Sequence, residues 1–313
     1  MLLLARNLYV TLVRHQLSIV AKRRTWHHGA LHSTHELAIL MTELLGLLLT
    51  LCAAGAAAGI TAGLFGNGGG FVVVPALVFV FSLLGDSSAD LIFVAIGTSL
   101  ATIVVSSARA VQAHRSRGAV DFDVLKSWAG WLVIGVVLGI ALASVTSGKQ
   151  LYSVFAVGVF FYALYFLFPT ILSPNKFALS MPTGLPRAGL ASFLGGFSSL
   201  LGIGGGTVTV ITMVSCRRPI YQAVATASGV GFIIGLAGAI GFVFLGIGKP
   251  DLPFGSIGYV NIPALITVGA ASILTAPIGA RWAHSLDENI LKRLFGVYLL
   301  LVSIAMFWKS MHV

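Results

Sequence analysis

Six stretches of this chain, residues 90–113, 124–146, 150–168, 220–246, 259–281 and 288–308, are apolar almost throughout. Each is close to the roughly 20 residues that a helix needs to cross the hydrocarbon layer of a bilayer. Lipid offers no hydrogen bonds to a peptide backbone, so only helices and closed barrels can span it. The stretches are continuously apolar rather than alternating, which sets a barrel aside. Composition agrees: 57% of residues are hydrophobic and 9% charged, whereas a soluble domain carries about 25% charged residues. The chain reads as an all-α polytopic membrane protein.

Two glycine runs interrupt apolar sequence at matching places in the two halves. Gly66-Asn67-Gly68-Gly69-Gly70 opens into Phe71-Val72-Val73-Val74-Pro75, and Gly202-Ile203-Gly204-Gly205-Gly206 opens into Thr207-Val208-Thr209-Val210-Ile211. Other blocks also correspond. Ala95-Ile96-Gly97-Thr98 matches Ala223-Val224-Ala225-Thr226, Leu138-Gly139 matches Ile278-Gly279, and Gly118-Ala119-Val120-Asp121 resembles Gly248-Lys249-Pro250-Asp251. The proline-rich stretch 169–186 reads as a linker between repeat 1 (41–168) and repeat 2 (187–313).

Each repeat then holds two segments around a glycine run, followed by three spanning helices. A single broken helix at the run would give parallel repeats; a glycine-tipped hairpin, re-entrant or spanning, would give inverted ones. The basic residues decide, because Lys and Arg favour cytoplasmic loops. With hairpins, Arg109, Arg115, Arg117, Lys126, Lys176, Arg187, Arg217, Arg218, Arg281, Lys292 and Arg293 fall on one side, and Lys149, Lys249 and Lys309 on the other. The expected architecture is two inverted repeats in a bacterial-type inner membrane, with the long basic loops cytoplasmic. The basic stretch 1–40 conflicts with that topology. Either it is a non-native extension and translation starts at Met41, or residues 7–20 form a further helix that keeps it inside.

Glycine-broken helices at equivalent places in two repeats point to a transporter's binding site. Glycine tolerates left-handed backbone and lets a ligand approach closely. The first N–H groups of a helix lack intrahelical partners, and with the helix dipole they attract anions. Phe71 and Thr207 begin such helices. Residues Gly66, Asn67, Gly68, Gly69, Gly70, Phe71, Gly202, Gly204, Gly205, Gly206 and Thr207 are therefore the candidate anion-binding set. Thr98, Ser99 and Thr226 join them as hydroxyls early in the next helix of each half. The competing readings are small-residue helix packing for the glycines and back-bonding to the helix for the hydroxyls.

Other chemistry finds little support. Net charge +10 would suggest nucleic acid in a soluble protein, but cytoplasmic loops account for it here, and no nucleic-acid partner is expected. Cys52 and Cys216 form no metal-ligand or redox spacing. No metal, cofactor, nucleophile–base pair or carboxylate dyad is indicated, so an enzyme is not expected. Arg109 reads as a snorkelling side chain and His114 and His284 as interfacial residues. Trp128, Trp131, Trp282 and Trp308 read as interfacial anchors.

The string Gly-Leu-Phe-Gly-Asn-Gly-Gly-Gly-Phe-Val-Val-Val-Pro at 63–75, with Gly97-Thr98-Ser99-Leu100, the basic loop 114–118 and Leu201-Gly202-Ile203-Gly204-Gly205-Gly206, resembles the TauE/SafE family. This is the sulfite exporter or toluene-sulfonate uptake permease family, and the resemblance covers about 43–309. It implies a permease for a small sulfur-containing anion, such as sulfite, sulfoacetate or a related organosulfonate. Asn67 stands where the family has an aliphatic residue, and Ile211 where a second proline often sits. The rivals are a permease for a non-sulfur anion or a thiol compound, and a membrane assembly or metal-trafficking factor.

Overall fold

A computed structural model describes residues 32–65, 69–83, 88–115, 118–168, 180–282 and 288–312. Packing divides the chain into 1–47 and 48–313. Among the described residues are ten helices: α1 (His32–Phe65), α2 (Gly70–Leu83), α3 (Leu91–Arg115), α4 (Phe122–Ser144), α5 (Gly148–Leu167), α6 (Gly184–Leu201), α7 (Gly206–Ser215), α8 (Ile220–Gly246), α9 (Ile262–Trp282) and α10 (Glu288–His312). A short antiparallel ladder, β1 (Ser256–Ile257) with β2 (Val260–Asn261), precedes α9. Six helices are long and apolar enough to cross a membrane: α3, α4, α5, α8, α9 and α10. They coincide with the six apolar stretches to within a few residues. The first helix starts at His32, ahead of Met41, since no proline or glycine breaks the sequence between those residues. The extra helix considered for 7–20 lies outside the described residues, as do Gly66, Asn67 and Gly68.

The core forms around α3 and α8. Gly231 lies against Ser107, Gly235 against Leu100 and Ile103, Gly238 against Leu100, and Phe242 against Gly97. Numbers rise along one helix as they fall along the other, so α3 and α8 run antiparallel. Their glycines permit close backbone approach, the usual device where lipid removes the hydrophobic drive for helices to associate.

Outside this pair the packing recurs in mates. A Cβ on Gly195 of α6 would lie 2.2 Å from Leu132 O of α4, and one on Gly59 of α1 would lie 2.4 Å from Ser272 O of α9. Gly139 of α4 abuts Gly196, while Gly279 of α9 abuts Ile60. Each pair has its counterpart at the same offset in the other half. In the seam between α5 and α10, Ser303 donates to Ala156 O at 2.8 Å.

Two expectations change. Trp128 is not an interfacial anchor but is fully buried, because it lies on the inward stripe of α4 with Val124, Leu125, Leu132 and Val136. Trp131, Trp282 and Trp308 are exposed. The counterpart of Asp121 is Asn261 rather than Asp251. Asp121 Oδ1 accepts from Val124 N at 3.1 Å and caps α4; Asn261 Oδ1 accepts from Ala264 N at 3.0 Å at the start of α9. The connection from Gly246 to Ile262, which holds Asp251 and the β-ladder, is longer than that from Arg115 to Phe122, and the extra length shifts the sequence register.

Candidate functional site

The chain turns back on itself at Gly69 and at Gly205. Gly69 has φ +77° and Gly205 φ +66°, a left-handed conformation that a side chain with Cβ adopts only at a cost of about 1 kcal/mol. A Cβ on Gly69 would lie 2.6 Å from Ala58 O, and one on Gly205 would lie 3.3 Å from Leu194 Cδ1. The contacted residue precedes the glycine by the same interval in each half, so each incoming helix is doubled back along its own length. Gly69 O accepts from Val72 N at 3.0 Å, and Gly205 O accepts from Thr209 N at 3.2 Å, starting α2 and α7.

The two turns meet. A Cβ on Gly70 would sit 2.3 Å from Gly202 O and 3.0 Å from Ile203 Cα, so the backbone of one run packs directly on the other. Ser99 of α3 donates to the same Gly202 O at 2.8 Å and is buried. Ser99 thus fixes the second turn. Gly204 approaches Gly231 of α8, and Gly206 is buried as the first residue of α7.

Aromatic rings close the first turn. Phe71 packs edge-on to Tyr162 with ring centroids 4.8 Å apart, and to Phe295 at 6.2 Å. Pro75 has no N–H to return to Phe71 O, its partner in a regular helix. The Tyr298 hydroxyl points at that carbonyl instead, at 3.4 Å. Lipid cannot satisfy a freed carbonyl, so a neighbouring helix does.

Polar side chains around the second turn are left unmatched. Ser198 Oγ and Thr207 Oγ1 are buried and have no hydrogen-bond partner. Ser198 Oγ would lie 3.1 Å from a Cβ on Gly205, and Thr207 follows that glycine by two residues. A buried hydroxyl without a partner costs about 1–3 kcal/mol. Ser198 escaped the sequence reading because a single serine in an apolar helix carries no distinguishing pattern.

Thr98 and Thr226 occupy a different place. Asn261 N donates to Thr98 Oγ1 at 2.9 Å, and Asp121 N donates to Thr226 Oγ1 at 2.9 Å. Each joins a helix of one half to the N-cap of a helix in the other. Next to the first of these bonds, Tyr259 donates to Asp90 Oδ2 at 3.3 Å, and burial together with the Asp90 carboxylate pushes its phenol well above the ordinary range. Among the described residues no group of His, Cys, Asp and Glu is placed to hold a metal.

Comparison with known proteins meets this geometry. The family described as sulfite exporter TauE/SafE matches residues 51–306. A probable membrane transporter protein of Haemophilus influenzae is 32% identical over 260 residues, 82% of this chain and 96% of that protein. Another from Methanocaldococcus jannaschii is 26% identical over 80% of this chain and 91% of its own. The Bacillus subtilis probable membrane transporter protein YdhB is 24% identical over 75% and 89%. No solved structure matches the chain. Matches to probable membrane transporter proteins along nearly their whole length, a family match from 51 to 306, and six apolar helices make this chain a multi-pass membrane transporter of the sulfite exporter TauE/SafE family.

Proposed function

We propose that the protein is a permease for a small sulfur-containing oxyanion, sulfite or an organosulfonate, which binds between the two glycine turns at the level where α2 and α7 begin. The observation that carries this reading is the pair of buried, unpartnered hydroxyls of Ser198 and Thr207 beside Gly205. They lie at the N-terminus of α7, where backbone N–H groups and the helix dipole favour negative charge. The backbone at 204–207 would supply further donors at the start of α7, and Asn67 would add a side-chain amide. Lysine and arginine are not needed at that depth.

The antiparallel α3 and α8 and the mated seams support two inverted repeats. Rocking of one repeat against the other would expose the turns to each side in alternation. Gly70 and Gly202 close on each other in this structure, and that contact must part to admit an anion. The Thr98 and Thr226 bonds, each of which ties one half to the other, are joints that such a motion would have to strain or break. The excess of Lys and Arg at the end of the molecule that carries Arg187, Arg217 and Arg218 favours a cytoplasmic position for that end, in a bacterial-type inner membrane.

Thr207→Val and Ser198→Ala test the site without straining the backbone. Hydroxyls that serve the fold would be missed on thermal unfolding, whereas unpartnered ones can be replaced at no loss of stability. A hydrogen bond to a charged group is worth about 1.5–3 kcal/mol, roughly ten- to a hundredfold in apparent affinity for sulfite. Sulfite transport into proteoliposomes at unchanged affinity in both variants would remove these hydroxyls from the site.

A further inference from the structure

A second polar site lies away from the glycine turns, between the starts of α4 and α6. A cavity of about 690 Å³ opens there, lined by Arg187, Arg218, Thr183, Asp121 and the buried face of Trp128 among others. We propose that it binds a small, water-borne oxyanion on the guanidinium groups of Arg187 and Arg218.

Three features point to negative charge. Arg187 Nε is buried and has no hydrogen-bond partner, a costly state for a group that is always ionised. Arg187 also lies in the first turn of α6, where the helix dipole repels a cation. Thr183, the N-cap of that helix, makes no side-chain cap bond, so the helix end is open to a ligand. An oxyanion in the cavity would answer all three.

Arg218 is held toward the same space by the turn between α7 and α8. Arg218 N donates to Met213 O at 3.0 Å and Arg217 N to Val214 O at 3.0 Å, the paired bonds of a Schellman motif. Arg217 takes the left-handed position, φ +60°, where glycine is usual. The Arg218 guanidinium comes 3.6 Å from Asp121 Oδ2, too long for a hydrogen bond. Its planar fork therefore remains able to take an oxyanion in two-point contact. Asp121 is occupied in capping α4 and acts as the internal competitor for Arg218.

That such an anion would go on to the glycine turns rests on the anion-permease reading; the binding itself does not. The test uses the full chain in detergent, depleted of lipid, and modification by phenylglyoxal mapped residue by residue by mass spectrometry. Sulfate is the probe and chloride at equal ionic strength the control. Sulfate should slow modification of Arg187 and Arg218 together, about tenfold at ten times its half-protecting concentration, and leave the exposed Arg109 unaffected. Asp121→Asn keeps a capping side chain and the backbone N–H to Thr226 but removes the competing charge, so it should lower the half-protecting concentration severalfold. Protection by sulfate no better than by chloride would overturn the proposal. So would protection by added phosphatidylglycerol alone, which would make the cavity a lipid site. Protection that persists in Thr207→Val separates this site from the glycine turns. Normal transport by Thr207→Val and Ser198→Ala would sink the turn reading while leaving the cavity standing.

Discussion

Asn261 N–H donates to the buried Thr98 hydroxyl at 2.9 Å, and this bond has a mate, Asp121 N–H to Thr226, at 2.9 Å. In both, the donor residue also caps its own helix through its side chain. One short side chain thus starts a helix, and its backbone ties that helix to the opposite half.

Removing the acceptor leaves a backbone N–H without its partner. Thr98→Val and Thr226→Val should each destabilise the purified protein by about 1–2 kcal/mol, and Thr98→Ser should restore most of the loss. Thermal unfolding in detergent reads the difference. Equal stability of the valine variants would mean that water replaces the threonine.

The glycine seam between α4 and α6 makes a sharper contrast. Added Cβ atoms at Gly135 and Gly195 would lie 1.9 Å and 2.2 Å from backbone carbonyl oxygens of the facing helix. Alanine there must push the helices apart, at about 1–3 kcal/mol. Gly130 and Gly189, on the same helices, face open space, and alanine should be neutral or stabilising by about 0.5–1 kcal/mol. Similar unfolding temperatures for all four variants would remove close packing as the reason for the glycines.

Arg217 occupies a position that glycine fills more cheaply. Arg217→Gly should raise stability by about 1 kcal/mol by relieving the left-handed strain, without changing how Arg218 is presented. A loss of stability would show that the Arg217 side chain makes a contribution larger than that strain.

Cys216 reports on its neighbour. Partial burial pushes its thiol up from the ordinary range, and the Arg218 charge pulls it back down. Arg218→Gln should therefore raise the thiol further and shrink the thiolate fraction near neutral pH. Reaction of Cys216 with a water-soluble maleimide should slow, and its rise with pH should move to higher pH. Faster reaction in the variant would mean that Arg218 shields the sulfur more than it activates it.

Much of this arrangement could be read in advance. Long apolar runs admit few structures in lipid, and two glycine runs at one spacing marked the turns before any contact was known. Asp121 shows where reading stopped: its sequence look-alike is Asp251, but its physical counterpart is Asn261. The longer connection that holds β1 and β2 shifts the register, and capping geometry can be recognised only when the helix start is seen. Trp128 likewise has the composition of an anchor, yet the helical face it shares with Leu132 and Val136 carries it inside.

The sequence by itself determined the solvent, the six spanning helices and the two places where helices must break, because these depend on local hydropathy and on backbone freedom. The tertiary structure decided that Gly70 closes on Gly202, that Ser99 holds that carbonyl, that Ser198 and Thr207 are buried without partners, and that Arg187 and Arg218 share one cavity. Those relations join residues far apart in the chain. Their energies come from distances of a few ångströms across helix seams, which hydropathy and spacing do not encode.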